Sequence, residues 1–234
     1  VTGAVELDRI RETAAKLDWS TQDAVPAAAP VRKAQFGAPL ASEPFRAADV
    51  ERFFPDRQLE EWDGDSLLAF FKPDKTHVVL QAKELLVERP HGNIISTLPE
   101  RDTISKNLLT STNQMYGLFN AQTTIGNTDS NRLLSANRGQ LNLQRYSGQR
   151  LWVKVGDTYR ILTEPGAYEI AFNYSRWYYK VEEDILVITA AAQAHAPVIT
   201  LEFMSLSGKA YEYVLTQQLS MGGAEFDQPI DVTV

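Results

Sequence analysis

Three histidines, His77, His91 and His195, are too widely spaced to form a zinc-ligand pair, and no cysteine is present to complete a site. The lack of cysteine also removes thiolate nucleophiles and a disulfide framework. Carboxylates occur as neighbours, Glu60-Glu61 and Glu182-Glu183-Asp184. Glycosidases instead hold two carboxyl groups ~5 to 10 Å apart across a bound sugar, so these adjacent acids read as solvated turn and surface charge. No serine stands in a G-x-S-x-G elbow, and "GNTDSN" lacks the helix-opening lysine of a phosphate loop. Arg89 in "VERPHG" and Arg150 in "SGQRLWVKV" lie beside strand residues and near a glycine. An arginine placed there fits a clamp that pins a loop through a carbonyl or carboxylate. By its own residues, the chain presents no active site.

The densest chemical feature is "FNYSRWYYKV", residues 172 to 181, with five aromatic rings in ten positions. Ile170, Phe172 and Tyr174 share one strand parity, whereas Trp177, Tyr179 and Val181 share the other. The apolar face therefore slips by one residue around Ser175-Arg176, which predicts a bulge or tight bend there. One reading places both triplets in a sandwich core with Tyr178 on an exposed face. A second presents Trp177 or Tyr178 beside Arg176 and Asn173, so that a sugar stacks on the ring while polar neighbours orient its hydroxyls. A third makes the stretch a protein interface, where Trp, Tyr and Arg are enriched.

The elements that must position these residues are mostly strands. "AVELDRIRETAAKLDW" reads as an amphipathic helix with Val5, Ile10, Ala14 and Leu17 near one stripe. Pro26, Pro30, Pro39 and Pro44 then break regular structure, which makes a linker or a strap. "AADVERFF" and "RQLEEW" are expected as short helices. From Ser66 onward short apolar-alternating runs are separated by Gly, Asn, Asp and Ser, including the hairpin signal Gly156-Asp157. "THVVLQAKELLVERPHGNIIS" is expected to be extended, and residues 97 to 113 to be a polar surface loop. The expected organisation is a helical arm with an Ala/Pro-rich linker or strap over 1–65, followed by a β-sandwich domain over 66–234.

The net charge of −7 and pI near 5.1 argue against nucleic acid as a partner. No apolar run approaches the ~20 residues that span a bilayer, so no membrane association is expected. The absence of cysteine and of a signal-like opening leads to an expected cytoplasmic location. The chain opens "VTGAVELDRI" without a methionine, and it reads as a piece of something longer.

Several of these segments together resemble a known family. "HVVLQAKELLVERPHGNI", "YGLFNAQTTIGNT", "LLSANRGQLNLQRYSGQRLWVKV", "YRILTEPGAYEIAFNYSRWYYKV" and "LTQQLSMG" resemble the β-sandwich portion of carbohydrate phosphorylases of glycoside hydrolase family 94. The similarity is to cellobiose phosphorylases, 1,2-β-oligoglucan phosphorylases and the related parts of cyclic β-1,2-glucan synthases, and it runs from about His77 to Met221. It implies a mostly β fold, an antiparallel β-sandwich of the galactose mutarotase-like supersandwich kind with a short helical N-terminal arm. It further implies a parent chain with a separate (α/α)6 catalytic barrel, in which phosphate attacks a β-glucoside with inversion while a barrel Asp protonates the departing oxygen. No catalytic residue carries over to this chain. No cofactor is expected, and inorganic phosphate is a substrate of the parent enzyme. The partners so implied are the barrel, a β-glucan oligosaccharide and a second copy in a homodimer. Candidate carbohydrate-binding or interface residues are Asn173, Arg176, Trp177, Tyr178, Arg89 and His91. The alternatives are an independent glucan-binding module and a purely structural protein-interaction domain.

Overall fold

Strands buried on both faces have to lie at the centre of a sheet, because only there are both sides covered. Two long runs that meet that condition are "YSRWYYKV" and "DILVITAAA". In the computed structural model, which describes residues 35–87, 91–97, 109–125, 132–134, 148–193 and 198–217, they are adjacent inner strands. In chain order, the described elements begin with α1 (Ala47–Phe53), β1 (Gln58–Asp63), β2 (Ser66–Phe71), β3 (His77–Leu80), α2 (Gln81–Leu86) and β4 (Gly92–Ser96). Next come β5 (Leu109–Gln114), β6 (Leu118–Ile125), β7 (Arg132–Leu134), β8 (Gln149–Val155) and β9 (Thr158–Ile161). The series ends with β10 (Ala167–Ile170), β11 (Tyr174–Val181), β12 (Asp184–Ala192), β13 (Ile199–Ser205) and β14 (Tyr213–Gln217).

The strands form two antiparallel sheets. One has the order β1-β2-β3-β10-β11-β12-β13; the other runs β14-β8-β6-β5-β4, with β7 on β6 and β9 on β8. The main core lies between them, where Ile95, Phe119, Leu151 and Val153 of the second sheet meet Tyr168, Trp177, Tyr179 and Ile188 of the first. A second apolar cluster covers the opposite face of the first sheet. There Val50 and Phe54 of α1 and the loop after it pack on Phe70, Val78, Tyr178 and Val187. The fold class is thus the mostly β, antiparallel sandwich expected from the sequence.

Residues 36–43 run along β9 and then cross to β11. Gly37 and Leu40 donate backbone hydrogen bonds to Tyr159 and Ile161, and Glu43 donates to Lys180. The predicted helix at "AADVERFF" is α1.

Three local expectations differ. "RQLEEW" contributes to strand β1 rather than a helix, because Gly64 adopts a left-handed φ of +55° and closes a tight hairpin onto β2. "QAKELL", six good helix formers, is helix α2 rather than a continuation of β3. Residues 109–114 are strand β5 rather than loop, while 98–108 lie outside the described residues. The β5 alternation was hidden because its inward residues, Ser111 and Asn113, are polar.

Candidate functional site

The aromatic stretch is built on the β10–β11 hairpin. Tyr168 pairs with Trp177 and Ile170 with Ser175, and the chain turns through Ala171–Asn173. The change of apolar parity therefore occurs at a hairpin turn three residues before the place expected, and β11 itself is unbroken from Tyr174 to Val181. Within β11 the alternation is strict. Ser175, Trp177, Tyr179 and Val181 point between the sheets, and Tyr174, Arg176 and Tyr178 point to the opposite face.

Trp177 has no exposed surface. Its indole Nε1 donates to the Gln114 carbonyl at 3.1 Å, and its ring meets Phe119 edge-on at a centroid distance of 4.6 Å. Tyr178 is also buried, under Phe45, Phe53 and Phe54, so the exposed face expected for it is covered by the α1 region. The two rings lie on opposite faces of one sheet and form no common platform. Asn173 is half-buried in the turn, and its backbone carbonyl accepts the Ala192 amide at 2.7 Å. Phe172, at the tip, is 66% exposed.

Arg176 belongs to a polar cluster that the sequence did not reveal. At its centre Glu169 is buried, and its carboxylate accepts from Tyr178 Oη at 2.8 Å, Tyr174 Oη at 2.9 Å and Lys72 Nζ at 3.3 Å. Arg176 stands 3.7 Å from the same carboxylate, donates through Nε to Thr189 Oγ1 and lies over the Tyr174 ring. Burial, followed by the Glu169 charge, drives both phenols well above their ordinary pKa, so they remain protonated donors. Glu169 thus ties β10 and β11 to the residue that follows β2.

Of "RPHG", only His91 and Gly92 are described, and His91 has a different role. Arg89 lies outside the described residues, as do His195 and the "GNTDSN" segment. His91 gives its backbone N–H at 2.9 Å and places ring Nδ1 at 2.7 Å from one oxygen of Glu84, a buried residue of α2. Among the described residues, the other Glu84 oxygen is buried without a hydrogen-bond partner. Two residues on, Asn93 reaches the aromatic hairpin. Its Nδ2 donates to the carbonyls of Ala171 and Tyr174 and to Ser175 Oγ, at 2.7, 3.1 and 3.0 Å. β4, which follows His91, therefore meets the aromatic hairpin through Asn93. Asn113 and Tyr168 donate to the same Ser175 hydroxyl oxygen. Arg150 acts as the expected clamp, donating to the Tyr116 carbonyl at 3.1 Å with its guanidinium over the Tyr116 ring.

A groove of about 330 Å³ opens between the β8–β9 turn, the β11–β12 turn and residues 209–212. Four of its charged groups face each other in pairs, Lys154 with Glu212 at 2.8 Å and Lys209 with Glu182 at 3.6 Å, and Asp157 also lines it. Among the described residues, no group of three or more His, Asp or Glu is arranged to hold a metal ion, and no helix is long and apolar enough to cross a membrane.

Two antiparallel sheets, with the described buried carboxylates bonded to strands and turns, define an antiparallel β-sandwich domain. Comparison with known proteins makes the class specific. The glycoside phosphorylase supersandwich domain family matches residues 54–234, well over half the chain. A 1,2-beta-oligoglucan phosphorylase from Listeria innocua serovar 6a is 33% identical over 216 residues, which is 92% of this chain and 20% of that protein. The chain belongs to the glycoside phosphorylase supersandwich family. It spans about one fifth of the length of the curated relative it matches.

Proposed function

We propose that this chain is the non-catalytic supersandwich domain of a phosphate-dependent enzyme acting on β-glucans. In that protein it supports the homodimer and frames the entrance to a separate (α/α)6 catalytic barrel. The observation that carries the reading is the similarity of 92% of the chain to one fifth of a 1,2-beta-oligoglucan phosphorylase. The condition of the buried carboxylates agrees with it: Glu84, Glu169 and Asp184 accept from groups that hold a loop, a sheet and a turn. Phosphate attack on the glucosyl anomeric carbon and protonation of the departing oxygen then belong to residues of the barrel.

The test is an assay for sugar 1-phosphate release from β-1,2- and β-1,4-gluco-oligosaccharides in inorganic phosphate. It is run on the 234-residue chain and on the longer protein that contains it. Release by the longer protein and none by the chain is expected; release by the chain alone overturns the reading. An independent glucan-binding module is the competing reading. It requires saturable oligosaccharide affinity in the 234-residue chain, and neither the Trp177 nor the Tyr178 ring has a face open to supply it.

A further inference from the structure

Helix α2 is inverted. Its polar residues Gln81 and Glu84, three apart and on one stripe, are buried, whereas Leu85 and Leu86 are 70% and 62% exposed. Val87, which follows, is 37% exposed. A helix on the surface of a water-soluble fold ordinarily shows the reverse arrangement, with its apolar stripe inward.

The polar residues also tether the helix from three sides. Gln81 Nε2 donates to the Ser42 carbonyl at 2.9 Å, in the segment that runs along β9. Lys83 pairs with Glu61 of edge strand β1, and Glu84 binds His91 at the start of β4. Leu59, two residues before Glu61, is 76% exposed. The leucines are thus presented on a backbone fixed from three directions, and a partner meeting them has little ordering to do.

We infer that the Leu85–Leu86–Val87 face is a docking surface for another domain of the same polypeptide. This rests on the reading of the chain as one domain of a larger phosphorylase. Four fifths of the matching relative lie outside the matched region, so such a protein carries ample chain to cover the face. Size favours the same occupant over a second copy. Three aliphatic side chains fall far short of the roughly 800 Å² per partner that a standard free-standing interface buries. A domain joined by covalent linkage needs no such area, because the linker keeps its effective concentration high.

The chain contains no cysteine, so Leu85→Cys or Leu86→Cys gives a unique reporter within it. Maleimide labelling is followed by peptide mass mapping in the 234-residue chain and in the longer protein, with wild-type hydrogen exchange over 81–87 measured in parallel. Expected is fast labelling in the chain and at least a tenfold slowing, with matching amide protection, in the longer protein. Equal rates in both overturn the inference. Protection in the 234-residue chain that rises with its concentration also overturns it, by showing a second copy on the face. If a cysteine variant does not fold, the wild-type exchange measurement decides alone. The sugar 1-phosphate assay separates the two layers: a longer protein without phosphorolysis that still shields 81–87 sinks the enzymatic reading and keeps the docking surface.

Discussion

Asp184 shows how a single carboxylate organises a turn. Its oxygens accept from Ser205 Oγ at 2.6 Å, the Ser207 amide at 3.0 Å and Tyr211 Oη at 3.0 Å, tying the start of β12 to the end of β13. Burial alone would raise its pKa, but these hydrogen bonds prevail and hold the carboxyl below its ordinary value. A carboxyl with a depressed folded-state pKa gives stability that is complete above the unfolded value of about 3.9 and is lost as pH falls through the folded value. Asp184→Asn is therefore expected to cost about 2–3 kcal/mol at pH 7, since bonds to a charged acceptor are replaced by a neutral, partly mismatched amide. Urea unfolding of both proteins from pH 7 to 3 checks this, and the gap between them should narrow toward the acid end. A gap that stays constant would mean that the charge contributes nothing. Trp177 belongs to the same scale. Trp177→Ala is expected to lower stability by about 3–5 kcal/mol through loss of a core ring. In the surviving folded protein no oligosaccharide response is expected to depend on this residue, as tryptophan-fluorescence titration of both forms can show.

At the scale of elements, the sheets are locked by polar contacts as well as by apolar packing. Asn93 and Asn113 from the second sheet converge on Ser175 of the first, and Ser111 Oγ donates to Asn120 inside the second. Buried polar groups with partners cost little net stability and fix one register among several. The segment over the first sheet depends on a close approach. Gly166 lies under Phe45, and an added Cβ would overlap that ring and come within 2.9 Å of Ser42 Oγ. Gly166→Ala is expected to cost about 1–3 kcal/mol and to loosen residues 40–54 first. Hydrogen exchange should then show those amides opening ahead of β11 and β12; uniform protection would contradict the assignment. Glu169→Ala leaves Lys72 and Arg176 without their shared carboxylate under a covered face, so a loss of about 3–5 kcal/mol is expected in the same unfolding assay.

For the molecule as a whole, the distribution of chemistry agrees with a supporting domain. Buried carboxylates hold strands and turns, and the open groove at the loop end presents two ion pairs and Asp157. Among the described residues the apolar groups left outside include Leu85 and Leu86 on a tethered helix and Phe172 at a hairpin tip. Phosphorolysis confined to the longer protein, and shielding of α2 within it, are the two expected outcomes at this scale.

Much of this was legible in the chain. The alternating runs after Ser66, the Gly156-Asp157 turn and the acidic hairpin tip at Glu182-Glu183 dictated a series of antiparallel strands, because strand periodicity and turn chemistry are local properties. Parity also established that Trp177, Tyr179 and Val181 share a side. What parity cannot state is what covers each side, since the cover comes from residues distant in sequence. Gln114 and Phe119 enclose Trp177, and Phe45 and Phe54 enclose Tyr178. Glu169 is a single acid in the run "AYEI", and only the fold gathers Lys72, Tyr174 and Tyr178 around it. Contacts to Ser42, Glu61 and His91 hold α2 with its leucines outward. Sequence thus determined most strands after Ser66 and the faces of β11, and only the tertiary structure decided which faces meet protein and which remain open.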